Sequence, residues 1–202
     1  MTTAVRQRFH IFLALLLTGF CYVGAFVLFV AKSSNFLERP GLEVTVVQAD
    51  GKKLVFPYHD AFAAGQQSLS LLGPGWHPAE DWGVWSAGSR AWLIVPWPEN
   101  FADRLKFELQ TTAFLHAEKH PSQTVQIRCG RKEVATVEFV AHEPSKRIDF
   151  IVDPADCQKR GAFAVEFDIA DPVSPASLGL GQDGRPLGIA LQSIAITLVS
   201  NQ

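Results

Sequence analysis

The sequence contains little sulfur and no excess of positive charge. Its 202 residues include three cysteines and one methionine, and 18 lysines and arginines stand against 20 aspartates and glutamates. Domains that bind nucleic acid normally carry a basic patch, so this balance gives no support to a nucleic-acid partner. The short motifs of serine hydrolases (G-x-S-x-G), zinc proteases (H-E-x-x-H) and P-loop nucleotidases are also absent from the sequence. The sequence therefore carries no motif of these three enzyme classes.

Sustained helical periodicity is lacking after residue 31. Short runs in which polar and apolar residues alternate, or in which β-branched residues are dense, are separated instead by Gly, Pro, Asn and Asp. These runs lie at 42–47, 54–56, 92–95, 104–110, 124–129, 133–140, 147–152, 163–169 and 187–198. Eight or nine such strands predict an all-β, antiparallel β-sandwich. The stretch 60–67 is compatible with either a helical turn or a loop.

One long apolar run precedes this domain. Residues 11–31 hold no charged residue over 21 positions, and at about 1.5 Å per residue they would cross a hydrocarbon core of about 30 Å. Arg6 and Arg8 lie before the run, which predicts a cytoplasmic N-terminus and an exported C-terminal part. A cleaved signal peptide is the alternative, because residues 23–25 have the small-residue spacing of a cleavage site. The apolar run continues beyond them, which favours an uncleaved anchor.

The sequence therefore predicts four consecutive parts. They are a cytoplasmic N-terminus at 1–10, a transmembrane anchor at 11–31, a juxtamembrane linker with a β-hairpin at 32–64, and an exported β-sandwich at 65–202. Without Arg6 and Arg8, 16 basic residues remain against 20 acidic ones, which gives the exported part a net charge of −4. A mildly acidic domain of this kind has little attraction to anionic lipid headgroups.

Two of the three cysteines lie in the exported part. An oxidising compartment favours a disulfide between Cys129 and Cys157, whereas Cys21 lies within the apolar run. Such a bridge would close a loop of about 28 residues and stabilise the fold by about 3 kcal/mol. Two buried or partly buried thiols are the alternative that the sequence leaves open.

All five tryptophans lie between residues 71 and 98. Trp76 and Trp97 stand beside prolines in expected loops, so we predict that they are exposed and stack on sugar rings. The neighbouring carboxylates of Glu80 and Asp81 could accept hydrogen bonds from sugar hydroxyls. The remaining three are expected to be core pillars with a structural role: Trp82, Trp85 and Trp92.

Three other patterns are weaker. Glu80 and Asp81 are adjacent, so on an extended chain they point apart, and capping or a calcium contact fits them better than catalysis of glycoside hydrolysis. His116 and His120 have helical ligand spacing but lie in a polar loop that ends at a proline, so no metal site is predicted. Residues 179–184 match G-x-G-x-x-G, but the β-rich segment after them is not the helix that a dinucleotide site requires.

Two segments of the sequence resemble a known module. Residues 75–86, GWHPAEDWGVWS, and residues 174–189, SPASLGLGQDGRPLGI, together are similar to a poorly characterised bacterial β-sandwich module. That module is found appended to membrane glycosyltransferases and other envelope-polysaccharide proteins, and the match would cover roughly 65–200. The resemblance implies a jelly-roll-like sandwich, a carbohydrate-related setting and no established reaction. In the second segment, Asp183 and Arg185 flank a glycine and are expected to fix the loop through charge-assisted hydrogen bonds.

These observations together predict a non-catalytic accessory protein. It would sit in the bacterial inner membrane as a single-pass protein with its sandwich in the periplasm, without a cofactor or metal. Its partner would be a glycan, or a membrane glycosyltransferase or polysaccharide-export complex on which it docks. A purely structural interaction subunit is the first alternative, and a weakly marked envelope-glycan hydrolase is the second.

Overall fold

The structure, a computed structural model, describes residues 43–47, 53–97, 103–159 and 161–199. Among them are two 3-10 helices, Gln67–Leu71 and Pro154–Asp156, and no α-helix. The strands are β1 Val44–Val47, β2 Lys53–Phe56, β3 Tyr58–Ala61, β4 Val84–Trp85, β5 Arg90–Pro96, β6 Arg104–Ala113, β7 Ser122–Cys129, β8 Lys132–Val140, β9 Ser145–Val152, β10 Gln158–Lys159, β11 Ala162–Ile169 and β12 Ile189–Val199. The prediction of an all-β domain is confirmed.

No helix within these described ranges has the length and apolar character to cross a membrane. The predicted anchor at 11–31 lies outside the described residues.

Two antiparallel sheets are each built around a central strand, β12 in the first sheet and β11 in the second. In the first sheet, β12 pairs with β6 on one side and with β3 and β4 on the other, and β9 pairs with the far side of β6. In the second sheet, β11 pairs with β5 and with β7, while β8 lies beyond β7 and β10 pairs with the first residues of β11. The hairpin β1–β2 forms a separate two-stranded sheet.

The core lies between the inner faces of the two sheets. Strand side chains alternate between faces, so Leu105, Phe107 and Leu109 of β6 are buried while the residues between them face outward. Phe107 of the first sheet meets Phe163 of the second edge to face, with ring centroids 6.2 Å apart. This contact across the layers makes the domain a β-sandwich.

The hairpin and β3 also belong to this folded unit. Leu54 and Phe56 of β2 are fully buried, and Phe56 meets the Trp97 ring edge to face at 5.2 Å. Strand β3 is a partner of β12 in the first sheet. The sequence division at 32–64 grouped both elements with a linker, whereas in the structure they complete the sandwich and its core.

Cys129 and Cys157 are joined by a disulfide in the structure, with their Cα atoms 5.3 Å apart. Cys129 is the last residue of β7, and Cys157 follows the 3-10 helix Pro154–Asp156. Of the two possibilities that the sequence left open, the structure contains the bridge. It ties the segment between β9 and β10 to the second sheet.

Three of the connections at one end of the sandwich form what we call the loop end: residues 72–89, 114–121 and 170–188. Strands β6 and β11 finish there, and β5, β7 and β12 begin there. Backbone hydrogen bonds link the connections, as from Phe114 N to Gly188 O at 3.0 Å. Because β5 runs away from this end, Trp97 and the Phe56 end of the hairpin lie at the opposite end.

Candidate functional site

The two segments that carry the family resemblance meet at the loop end through Ser86. Its hydroxyl oxygen is fully buried and accepts hydrogen bonds from the backbone N–H groups of Gly188 at 3.2 Å and Ile189 at 3.1 Å. The backbone N–H of Ser86 donates to Ile189 O at 2.8 Å. Residues about 100 positions apart in the chain therefore share one buried hydrogen-bonded joint.

Replacing Ser86 with alanine should destabilise this joint. Two buried backbone donors would lose the acceptor that they share, and removing one partner of a buried hydrogen bond costs about 1–3 kcal/mol. We expect Ser86→Ala to lower the free energy of unfolding by about 1–3 kcal/mol, measured by urea denaturation of the full chain. Ser89→Ala, at an exposed serine three residues away, is the control and should stay within about 0.5 kcal/mol of the parent. Equal stability of the two variants would contradict the structural role of Ser86.

A charged cluster lies beside this joint. The guanidinium of Arg185 donates from Nε and Nη2 to the carboxylate of Asp183, at 3.1 and 2.8 Å, and from Nη1 to Glu80 Oε1 at 3.1 Å. These hydrogen bonds from the Arg185 side chain, with that from its backbone N–H, lower the pKa of Asp183 to about 2. The hydrogen bonds with Asp183 and Glu80 in turn raise the pKa of Arg185. Asp183 and Arg185 are thus paired within their loop, and Arg185 also connects it to the tryptophan segment.

Trp82 is the exposed aromatic of this end, with 42% of its surface accessible. Its indole N–H donates to Glu80 Oε2 at 2.9 Å, and its ring meets Trp85 edge to face at 5.6 Å. Trp85 is half-buried and meets Phe114 in the same way at 6.3 Å. The exposed Trp82 indole is therefore supported by a row of two further rings, Trp85 and Phe114.

The expectation that Trp82 is a core pillar is wrong. Glu80 N donates to Gly83 O at 2.8 Å, so Asp81 and Trp82 occupy the two central positions of a tight turn and project outward. A Cβ atom on Gly83 would lie 2.7 Å from Leu191 O, which shows how closely the turn packs on β12. That close approach leaves no space for the indole beneath the turn.

The expectation that Trp97 is exposed and binds sugar is also wrong. Trp97 is fully buried, and its backbone N–H donates to Gly161 O at 2.8 Å. It continues the inward-facing series Ala91, Leu93 and Val95 of β5. The proline on either side of it does not bring it to the surface.

Trp76 is less exposed than expected, and Trp92 is less buried than expected. The half-buried Trp76 donates its indole N–H to the carbonyl oxygen of Trp92 at 2.8 Å, and its ring meets Phe167 edge to face at 5.8 Å. Trp76 therefore packs on the structure rather than standing free. Trp92 was expected in the core, but it lies on the outward face of β5, opposite to the buried Leu93. A strand residue on that face cannot enter the core between the sheets.

The remaining candidate residues have modest roles. Asp81 is exposed in its turn, and both oxygens of Glu80 are engaged by Trp82 and Arg185. His116 and His120 pair through their backbones in a short hairpin, and the His120 ring is buried beside Gln123, at 3.3 Å. The polar loop predicted there is therefore partly packed. In the part of the chain that the structure describes, no three His, Cys, Asp or Glu side chains group as metal ligands.

Comparison with known proteins gives distant structural likenesses. No family model and no curated protein matches the sequence. Latent PorU of Porphyromonas gingivalis is 9% identical over 71% of this chain, which spans 12% of that protein, with a TM-score of 0.40. A family 35 carbohydrate-binding module from an environmental isolate is 10% identical over 83% of this chain and 91% of that one, with a TM-score of 0.34. A carbohydrate-binding module of Cellvibrio mixtus lichenase 5A, solved with cellotriose, is 13% identical over 81% and 87%, with a TM-score of 0.28. These likenesses are too remote to assign a function to this chain.

Proposed function

We propose that this domain is a non-catalytic glycan-binding module whose sugar platform is formed at the loop end by Trp82, Glu80 and Arg185. The observation that carries the proposal is the exposed Trp82 indole, held in place by Glu80 and by the Trp85 ring. An aromatic face offers apolar contact to the C–H face of a sugar ring. A few fixed polar groups at the rim of such a contact set orientation and specificity through hydrogen bonds.

The Asp183 carboxylate does not fit the role of the acid of a glycosidase. A glycosidase of the common type needs one carboxylic acid that stays protonated near neutral pH and a second carboxylate across the scissile bond. Here Glu80 and Asp183 both bind the same guanidinium, and Arg185 lowers the pKa of Asp183 to about 2. Asp183 is therefore ionised at neutral pH and donates no proton there.

Replacing Trp82 with alanine should separate binding from stability. We expect at least a tenfold loss of affinity, equivalent to about 1.4 kcal/mol, because the apolar platform is removed. The Tm should change by only about 2 °C, since a surface substitution costs about 0.5 kcal/mol or less. The measurement is a glycan microarray followed by titration of the retained glycan against full-length protein in detergent. Leu180→Ala, at an exposed apolar residue of the neighbouring loop, is the control that should bind as the parent does.

Two results would overturn this proposal. One is a parent protein that retains no glycan on the array. The other is a Trp82→Ala variant that binds as tightly as Leu180→Ala. A variant with reduced affinity and an equally reduced Tm would make Trp82 a structural residue.

The cellular setting is also part of the proposal. We infer that residues 11–31 anchor the protein in a bacterial inner membrane, that its jelly-roll-like sandwich is periplasmic, and that it serves a membrane glycosyltransferase or polysaccharide-export complex. The uncharged run and the resemblance of 75–86 and 174–189 to the envelope module support this. In the folded domain, Val44 pairs with Phe56, at the end opposite to Trp82.

A further inference from the structure

The outward face of the second sheet carries a row of three large side chains that the loop-end platform does not use. Trp92 of β5 lies directly opposite Glu166 of β11, and Glu166 lies directly opposite Arg128 of β7. Neighbouring strands are about 4.8 Å apart, so the row spans about 10 Å across the sheet. An indole, a carboxylate and a guanidinium are therefore presented side by side on one rigid surface.

A shallow groove of about 260 Å³ runs beside this row. Trp92 and Ile94 form one wall, and Gly130 and Cys157 contribute to the other. The small side chains of Ala162 and Ala164 line it along β11, and Glu166 stands at one end. At about 3.4 Å per residue, the stretch 162–166 is about 13 Å long. The groove is open and long, which suits a segment of an extended chain better than an enclosed small molecule.

The polar groups at and beyond the Glu166 end of the groove are paired but still accessible. Arg128 Nη2 donates to Asp168 Oδ2 at 2.6 Å and to Gln126 Oε1 at 2.9 Å. Arg90 Nε lies 3.7 Å from Glu166 Oε1. Two arginines are thus balanced by two carboxylates, and all of these groups are only partly buried or exposed. A surface of this kind attracts neither a polyanion nor a polycation.

We propose that this face is a second carbohydrate site, which binds a neutral glycan chain along β11. Ile94 is 42% exposed beside Trp92, so the groove has an apolar wall that a sugar ring can cover. Glu166, Asp168 and Gln126 supply acceptors, and Arg90 and Arg128 supply donors, for the hydroxyl groups that ring the sugar. A lipid chain would shield these polar groups from water without offering them new hydrogen bonds, which is costly. The inference shares the ligand class of the proposed function, but it shares no residue with the loop-end platform.

The test is isothermal titration of full-length protein in detergent with three neutral hexasaccharides: cellohexaose, laminarihexaose and hexa-N-acetylchitohexaose. Trp92→Ala removes the stacking surface. Ala164→Leu fills the groove without removing a contact, so it keeps the test valid if Trp92→Ala fails to fold. Asp149→Asn is the matched control, because Asp149 pairs with an arginine on the outward face of the other sheet.

The expected result is a tenfold or greater loss of affinity for at least one hexasaccharide in both groove variants, with parent affinity in Asp149→Asn. Parent affinity in Ala164→Leu would overturn the inference, as would a parent that binds none of the three hexasaccharides. Trp82→Ala in the same titration distinguishes the two proposals. If only Trp82→Ala weakens binding, the groove is refuted and the loop-end platform is supported. If only the groove variants weaken binding, the loop-end platform is refuted and the groove is supported.

Discussion

Trp97→Ala should lower the free energy of unfolding by about 3–5 kcal/mol, the usual cost of truncating a large buried aromatic. Trp97 is fully buried and packs against Phe56, so its loss opens a cavity where the hairpin meets the sandwich. Urea denaturation of full-length protein in detergent, followed by far-UV circular dichroism, measures the change. This result would also show that Trp97 serves the core, although its flanking prolines indicated a sugar-binding loop.

The control for Trp97→Ala is Trp82→Ala, which removes the same side chain from an exposed position. The exposed variant should lose less than about 1 kcal/mol. Similar costs for the two variants would contradict the burial of Trp97.

Removing the disulfide should have the second-largest effect. Cys129 and Cys157 are 28 residues apart, and a crosslink that closes a loop of this length stabilises a fold by about 3–4 kcal/mol through loss of entropy in the unfolded chain. The double variant Cys129→Ser with Cys157→Ser should therefore melt about 10 °C below the parent. Dithiothreitol should lower the Tm of the parent by a similar amount and leave that of the double variant unchanged.

The disulfide also tests where the domain resides. A bridge forms and persists in an oxidising compartment, whereas the bacterial cytosol keeps thiols reduced. Thiol alkylation of intact cells before lysis, followed by mass spectrometry, should find Cys129 and Cys157 unmodified and linked. Alkylation of both Cys129 and Cys157 under these conditions would contradict the proposed periplasmic location.

The strands were predictable because their side chains alternate clearly. The runs at 104–110, 124–129 and 163–169 lie within β6, β7 and β11, where every second residue is buried. A strand with one face on the core and the other in solvent needs alternating apolar and polar residues. This pattern can be read from the sequence without knowing which strands pair. Strand β3 was missed because only four residues form it, and its pairing with β12 joins positions more than 130 residues apart.

The positions of the tryptophans were harder to predict, for different reasons. Alternation separates Trp92 from Leu93, but it does not say which of the two faces is the core. Trp97 does follow Leu93 and Val95 in the same alternation, and that signal was outweighed by the neighbouring prolines. Trp82 is exposed because of a tight turn that depends on Gly83 lying against β12, and no local pattern reveals that contact.

The charged cluster could be predicted only in part. Asp183 and Arg185 are two residues apart, so their pairing is visible in the sequence. The hydrogen bond from Arg185 to Glu80 joins residues 105 positions apart and depends on the packing of two loops. The family resemblance placed both segments in one module, but it did not indicate that they touch.

The most direct test of the loop-end sugar platform is a comparison of Trp82→Ala and the parent on a glycan microarray, with full-length protein in detergent and the Tm of each sample recorded. We expect the parent to retain at least one class of glycan and the variant to lose that signal at an almost unchanged Tm. An array on which the parent gives no signal, or on which both proteins give the same signal, would contradict the loop-end platform.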